Sequence, residues 1–101
     1  MHCDMILFYN SDRDNRESVI AELLDNDVFD YYDVTQEGVD VAEVAEHLPT
    51  AYILAAGDDY LNYDYIMDAG EGEEYTRRVF KEFADECAAK YDKFAVYDVH
   101  M

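Results

Sequence analysis

The chain has no tryptophan, one proline, four glycines and two cysteines in 101 residues, and only seven lysines and arginines against 25 aspartates and glutamates. Each scarcity excludes something. No window of about 18 apolar residues exists to span a bilayer, and MHCDMILFYN has neither the basic leader nor the apolar length of a secretory signal; the expectation is a soluble cytoplasmic protein. Cys3 and Cys87 stand in no CxxC or metal-ligand spacing, so two free thiols in a reducing compartment are expected, with a disulfide between them as the alternative. The rarest feature is local: from Glu17 to Thr76 there is no lysine or arginine at all.

What is present is a folding composition. Half the residues are apolar and 15% are aromatic, unlike a disordered acidic tail, so the net charge of -18 belongs to the surface of a folded domain. The length suits a single domain over residues 1–101. A surface so negative repels itself and makes nucleic acid and anionic membranes poor partners.

Hydrophobic periodicity lays out the elements. Met5 to Tyr9 reads as a buried strand, and Val19, Ile20, Leu23 and Leu24 follow at helical spacing, with Asp14 as N-cap and Glu17 completing a capping box. Phe29 to Val34 reads as a second strand. Val41, Val44, Ala45 and Leu48 give a short helix over Asp40 to Leu48, ended by Pro49. TAYILAA is a third strand, and Gly57-Asp58 turns it into an antiparallel fourth, Tyr60 to Met67, on the alternation of Leu61, Tyr63, Tyr65 and Met67. Tyr75, Val79, Phe83, Cys87 and Tyr91 mark one stripe of a last helix, Glu73 to Tyr91. Phe94 to Val99 adds a last strand or packs as a tail.

This order resembles the thioredoxin and glutaredoxin superfamily. HLPTAYILAAGDD is similar to the segment where that family places a cis-proline before its third strand and a glycine hairpin after it, and MILFY with its capped helix is similar to the first strand and active-site helix. The resemblance covers roughly Met5 to Tyr91 and implies an α/β domain of βαβαββα order with an extra C-terminal strand. It also implies that Asp14 and Glu17 stand where relatives keep their cysteine pair, with Asn15 and Arg16 between. A carboxylate there enjoys the helix dipole but cannot form a disulfide, so the expectation is a redox-inactive scaffold. Another two-layer α/β or α+β arrangement is the alternative fold.

For function, the acidic run is the richest signal. Duplex DNA carries one charge per ~1.7 Å of axis, so 18 net charges match about 31 Å of duplex, close to the span of a domain with a radius of gyration near ~13 Å. Tyrosines among the carboxylates supply contact area and cation–π partners for arginine. The densest stretch, DDYLNYDYIMDAGEGEEY, nominates Asp58, Asp59, Tyr60, Tyr63, Asp64, Tyr65, Asp68, Glu71, Glu73 and Glu74 as a partner-binding surface. In size and charge the chain is similar to small phage proteins that block restriction or CRISPR effectors. That resemblance implies a non-catalytic DNA mimic bound to a basic nucleic-acid site, in the host cytoplasm if phage-encoded, with no cofactor.

Competing readings remain at this level. Acidic, lysine-poor surfaces also suit a high-salt cytoplasm, which would make the chain a redox-inactive glutaredoxin-like interaction protein. A hard cation could find oxygen ligands among Asp58 to Glu73, yet no calcium-loop pattern occurs, so no metal is assigned. His2, His47 and His100 share no ligand spacing, and Ser11 and Ser18 have no histidine near them in sequence. Asp14 and Glu17 as a catalytic acid and base form the remaining alternative, although a helix first turn already accounts for both.

Overall fold

The computed structural model describes residues 2–100 as a mixed five-stranded sheet covered on both faces. The elements are β1 His2–Tyr9, α1 Arg16–Asp25, β2 Tyr31–Asp40, two 3-10 turns Val41–Glu46 and Leu48–Thr50, β3 Ala51–Ala56, β4 Asp59–Asn62, α2 Tyr63–Asp68, α3 Glu73–Lys90 and β5 Lys93–His100. Strand order is β2-β5-β1-β3-β4. Strands β1 and β3 run parallel, while β5 pairs antiparallel with both β1 and β2, and β3 with β4.

Strand alternation sorts the core into two layers. Met5, Leu7 and Tyr9 of β1, Ile53 and Ala55 of β3, and Ala95, Tyr97 and Val99 of β5 face one side, where Ile20 and Leu23 of α1 cover them. Ile6 and Phe8, Leu54 and Ala56, and Phe94 and Val96 face the other, under Phe80, Ala84 and Cys87 of α3 and Val44 of the first 3-10 turn. The three central strands are therefore buried on both faces and read as near-continuous apolar runs, MILFY, YILAA and FAVY.

Several sequence expectations need correction. The fourth strand stops at Asn62, and Tyr63 to Asp68 is helical. Asn62 is buried, and its side chain accepts from the backbone N–H groups of Asp64 at 2.9 Å and Tyr65 at 3.4 Å, which satisfies two donors that a helix start leaves open. The pattern also fits i, i+3 through Tyr63 and Ile66, both packed against the α3-side core, and that spacing wins over alternation.

At α1 the cap is Asn15, which accepts from Glu17 N–H at 3.0 Å and Ser18 N–H at 3.3 Å. Asp14 instead accepts from Asn10 N–H at 2.7 Å and closes the preceding loop. Strand β2 runs from Tyr31 to Asp40, later and longer than Phe29 to Val34, because Phe29 is tucked into the α1-side core before the strand begins. As an edge strand it is exposed along most of its length, with register shifts around Gln36, and polar outer residues mask its periodicity. Asp40 to Leu48 forms 3-10 turns rather than an α-helix, with Asp40 capping Ala42 N–H at 2.9 Å.

The last helix ends at Lys90, and its buried stripe is Thr76, Phe80, Ala84 and Cys87. A strict four-residue repeat overshoots a full turn by about 40° per step, so a stripe begun at Tyr75 walks across the helix and Tyr75 itself is exposed. Strand β5 is neither tail nor edge: it fills the place between β1 and β2. The peptide bond before Pro49 is trans, with no cis bond among the described residues, against the cis-proline the resemblance implies.

Candidate partner-binding face

At the start of α1, Asp14, Asn15 and Arg16 are occupied by structural tasks. Arg16 donates to Glu37 at 2.7 Å and to the Tyr97 hydroxyl at 3.0 Å, and its guanidinium lies 5.2 Å from the centre of the Tyr9 ring. Burial opposes its charge, but the Glu37 hydrogen bond and the two phenols outweigh that and raise its pKa. Arg16 thus ties α1 to β2 and β5. Asp14 and Glu17 are both exposed, and the loop between β1 and α1 is anchored by Asp92, which accepts from Ser11 N–H at 2.9 Å and Ser11 Oγ at 2.6 Å and is held below the usual carboxylate range by those bonds.

Neither thiol is placed for exchange chemistry. Cys3 packs against the α1-side core and Cys87 lies in the α3-side core, so the sheet separates them and both are free. This overturns the disulfide alternative. Burial, first among the causes, pushes each thiol up to about 11. A thiol that stays protonated at neutral pH is a poor nucleophile.

The nominated acidic stretch divides over the β4 edge of the sheet. Asp58 sits in the β3–β4 turn, with Asp59 and Tyr60 opening β4. Tyr63, Asp64, Tyr65 and Asp68 are on α2, Glu71 is in the loop that follows, and Glu73 and Glu74 form the first turn of α3. All are exposed except Tyr63. Tyr63 packs between Tyr52 and Phe80, with ring centroids at 5.8 and 6.1 Å, and carries the Arg77 guanidinium 4.6 Å above its centre. Burial and then the Asp64 carboxylate push the neighbouring Tyr52 phenol up.

Strand geometry separates Asp58 and Tyr60 from Asp59. The first two line a cleft against α1, with Val19, Glu22, Leu23, Asn26 and Gly57, whereas Asp59 borders a smaller recess on the α3 side beside Glu86 and Lys90. Glu73 lies at another groove whose walls include Arg77 and Lys81. The nominated residues therefore do not share one cleft: Asp58 and Tyr60 line one, while Asp59 and Glu73 stand at recesses that also hold cations.

The cations explain this division. Arg16 is engaged as described, Arg77 stacks on Tyr63 and reaches the carbonyls of Leu48 and Ala51 at 3.4 Å, Arg78 stands 5.4 Å over the Tyr75 ring, and Lys81 pairs with Asp85 at 2.9 Å. Four of the seven positive side chains are thus used inside the molecule or along α3, and most of the positive charge lies on the α3 side. Outside the nominated stretch, the cation-free run also exposes the carboxylates of Glu22 and Asp25 of α1, of Asp30 just before β2 and of Asp33 on it. Their signal was the cation-free run itself; the density of tyrosine drew attention to one end of it.

Among the described residues, no three His, Cys, Asp or Glu side chains converge in a way that could hold a metal ion, and no helix is long and apolar enough to cross a membrane. No family model, curated protein or solved structure matches the chain.

Proposed function

We propose that this domain is a non-catalytic acidic decoy, which binds the positively charged nucleic-acid site of a nuclease or defence effector, of the CRISPR or restriction type, and substitutes carboxylates for phosphates. The observation that carries the reading is charge density with the cations withdrawn. Eighteen net negative charges lie on a body 39 Å long, about one per 2 Å, against one per ~1.7 Å of duplex axis. The surface also carries the exposed rings of Tyr31, Tyr60 and Tyr65, which offer arginine a flat apolar partner. Such a protein acts in the cytoplasm where its target acts, needs no cofactor, and associates fast by electrostatic steering.

The scaffold belongs to the same proposal as a thioredoxin-like domain without redox chemistry. Supporting it are the order of elements through the β3–β4 hairpin and a capped helix after β1, whereas the parallel pairing of β1 with β3 departs from that scaffold. The insertion of β5 between β1 and β2 and the trans bond at Pro49 are departures that this ancestry has to accommodate.

The test is retention of basic nucleases and RNA-guided effectors on the immobilised domain. Binding at low salt should weaken by an order of magnitude or more as ionic strength rises from about 0.1 to 0.5 M, because the Debye length shrinks from ~10 Å toward ~4 Å. Failure to retain any nucleic-acid-binding protein at low salt overturns the reading.

A further inference from the structure

Three arginines of this chain lie over tyrosine rings, and the fullest set of partners surrounds Arg16. A carboxylate from Glu37, a hydroxyl from Tyr97 and the face of Tyr9 hold that guanidinium. Arg77 lies over Tyr63 with two backbone carbonyls in place of the carboxylate, and Arg78 lies over Tyr75. A cleft elsewhere on the surface brings carboxylates and a tyrosine together with no arginine on its walls. It lies between α1 and the β3–β4 turn, with a volume of about 240 Å³, apolar walls from Val19 and Leu23, carboxylates from Glu22 and Asp58, and the Tyr60 side chain.

We propose that this cleft receives the side chain of an arginine supplied by the partner. The inference rests on the decoy reading and gives it an anchor point. Three observations favour this occupant. The volume lies below the ~300–1,000 Å³ of ordinary small-molecule pockets, so a single side chain fits better than a nucleotide or cofactor. Among the described residues neither Glu22 nor Asp58 takes part in an ion pair, and the Asn26 Nδ2 is already committed to the Glu22 backbone carbonyl at 2.9 Å, so acceptors, the two carboxylates foremost, face a cation. The apolar walls suit a methylene stem, and a planar guanidinium exploits both carboxylate and ring where a lysine ammonium acts as a point charge. The larger groove beside α3, about 460 Å³, carries Arg77 and Lys81 on its walls and is unsuited to a cation.

The probe is N-acetyl-arginine amide, titrated into the isotope-labelled domain, with N-acetyl-lysine amide as control. Saturable chemical-shift changes should centre on Glu22, Leu23, Asn26, Gly57, Asp58 and Tyr60, with weaker binding of the lysine analogue. Glu22→Gln combined with Asp58→Asn should weaken arginine binding about tenfold or more, the scale of losing a charged hydrogen bond. Tyr60→Leu should reduce the preference for arginine over lysine. Shift changes spread evenly over the acidic surface, or binding unaltered in the double variant, would overturn the proposal. Because the probe needs no partner protein, the two readings fail separately: retained nucleases with no localised arginine site sinks the cleft alone, and a localised site with no retained partner sinks the decoy alone.

Discussion

At the scale of single residues, burial decides what the reactive groups can do. Cys3 and Cys87 are raised from 9.0 to about 11, chiefly by desolvation, and the Tyr91 and Tyr97 phenols are raised for the same first reason. Each group favours its neutral form more in the folded than in the unfolded chain. The stabilisation is therefore fully present below pH 9 and is lost as pH rises through about 11, since the unfolded thiols release their protons first. Urea unfolding midpoints measured from pH 8 to pH 11 should fall across that window, and Cys87→Ala, which keeps the site apolar, should flatten part of the fall. Alkylation of both native thiols at pH 8 should be much slower than in urea. Rapid native labelling of Cys87 would contradict its placement on the buried face of α3.

At the scale of elements, the small polar residues at the joints fix where each element begins. Asn62 is the clearest case, since its buried side chain both ends β4 and starts α2. Asn62→Ala should cost about 1 kcal/mol, the usual effect of losing an N-cap, and Asn62→Ser, which keeps an uncharged acceptor, less; chemical denaturation of the three proteins measures the difference. Thr76 plays a different part in α3: its buried hydroxyl finds its partner in the Gly72 carbonyl one turn back, at 2.8 Å, which satisfies the hydroxyl without capping the helix. What was legible in the sequence follows the same division. The apolar runs of β1 and β3, the Gly57-Asp58 hairpin and the long last helix are set by local pattern, and each appears where the pattern puts it. The helical turn at Tyr63 was hidden because six residues satisfy strand and helix periodicities almost equally, and only the cap distinguishes them. The central place of β5 was hidden for a different reason: pairing of His2 with His100 and of Tyr9 with Lys93 spans nearly the whole chain, and no local signal encodes it. The candidate site was half legible. Asp58 and Tyr60 stood out in the sequence, but their neighbours Val19, Glu22 and Leu23 lie more than thirty residues earlier and meet them only through the packing of α1 beside the hairpin.

At the scale of the whole molecule, net charge acts on folding and on binding with opposite sign, and this separates mimicry from adaptation to salt. Self-repulsion among 25 carboxylates destabilises the compact state, so added salt should raise the melting temperature by screening. The same screening weakens attraction to a basic partner. A decoy tuned for a cell of ordinary ionic strength should be folded at about 0.1 M salt, gain stability gradually toward 1 M, where the Debye length is ~3 Å, and lose affinity over the same range. A protein whose acidity answers to a saline cytoplasm should instead unfold at 0.1 M and need molar salt to hold its core. Replacing Asp58, Asp68, Glu71 and Glu74 by their amides removes four negative charges from exposed positions without touching either core layer. The variant should melt higher than the parent at low salt, with the two curves converging as salt rises, and should bind basic partners far more weakly. Thermal melts and binding isotherms on one salt series read both effects. A loss of stability in the amide variant at low salt would mean that these carboxylates hold the fold together, and the surface would then have to be explained as structure rather than as a face presented to a partner.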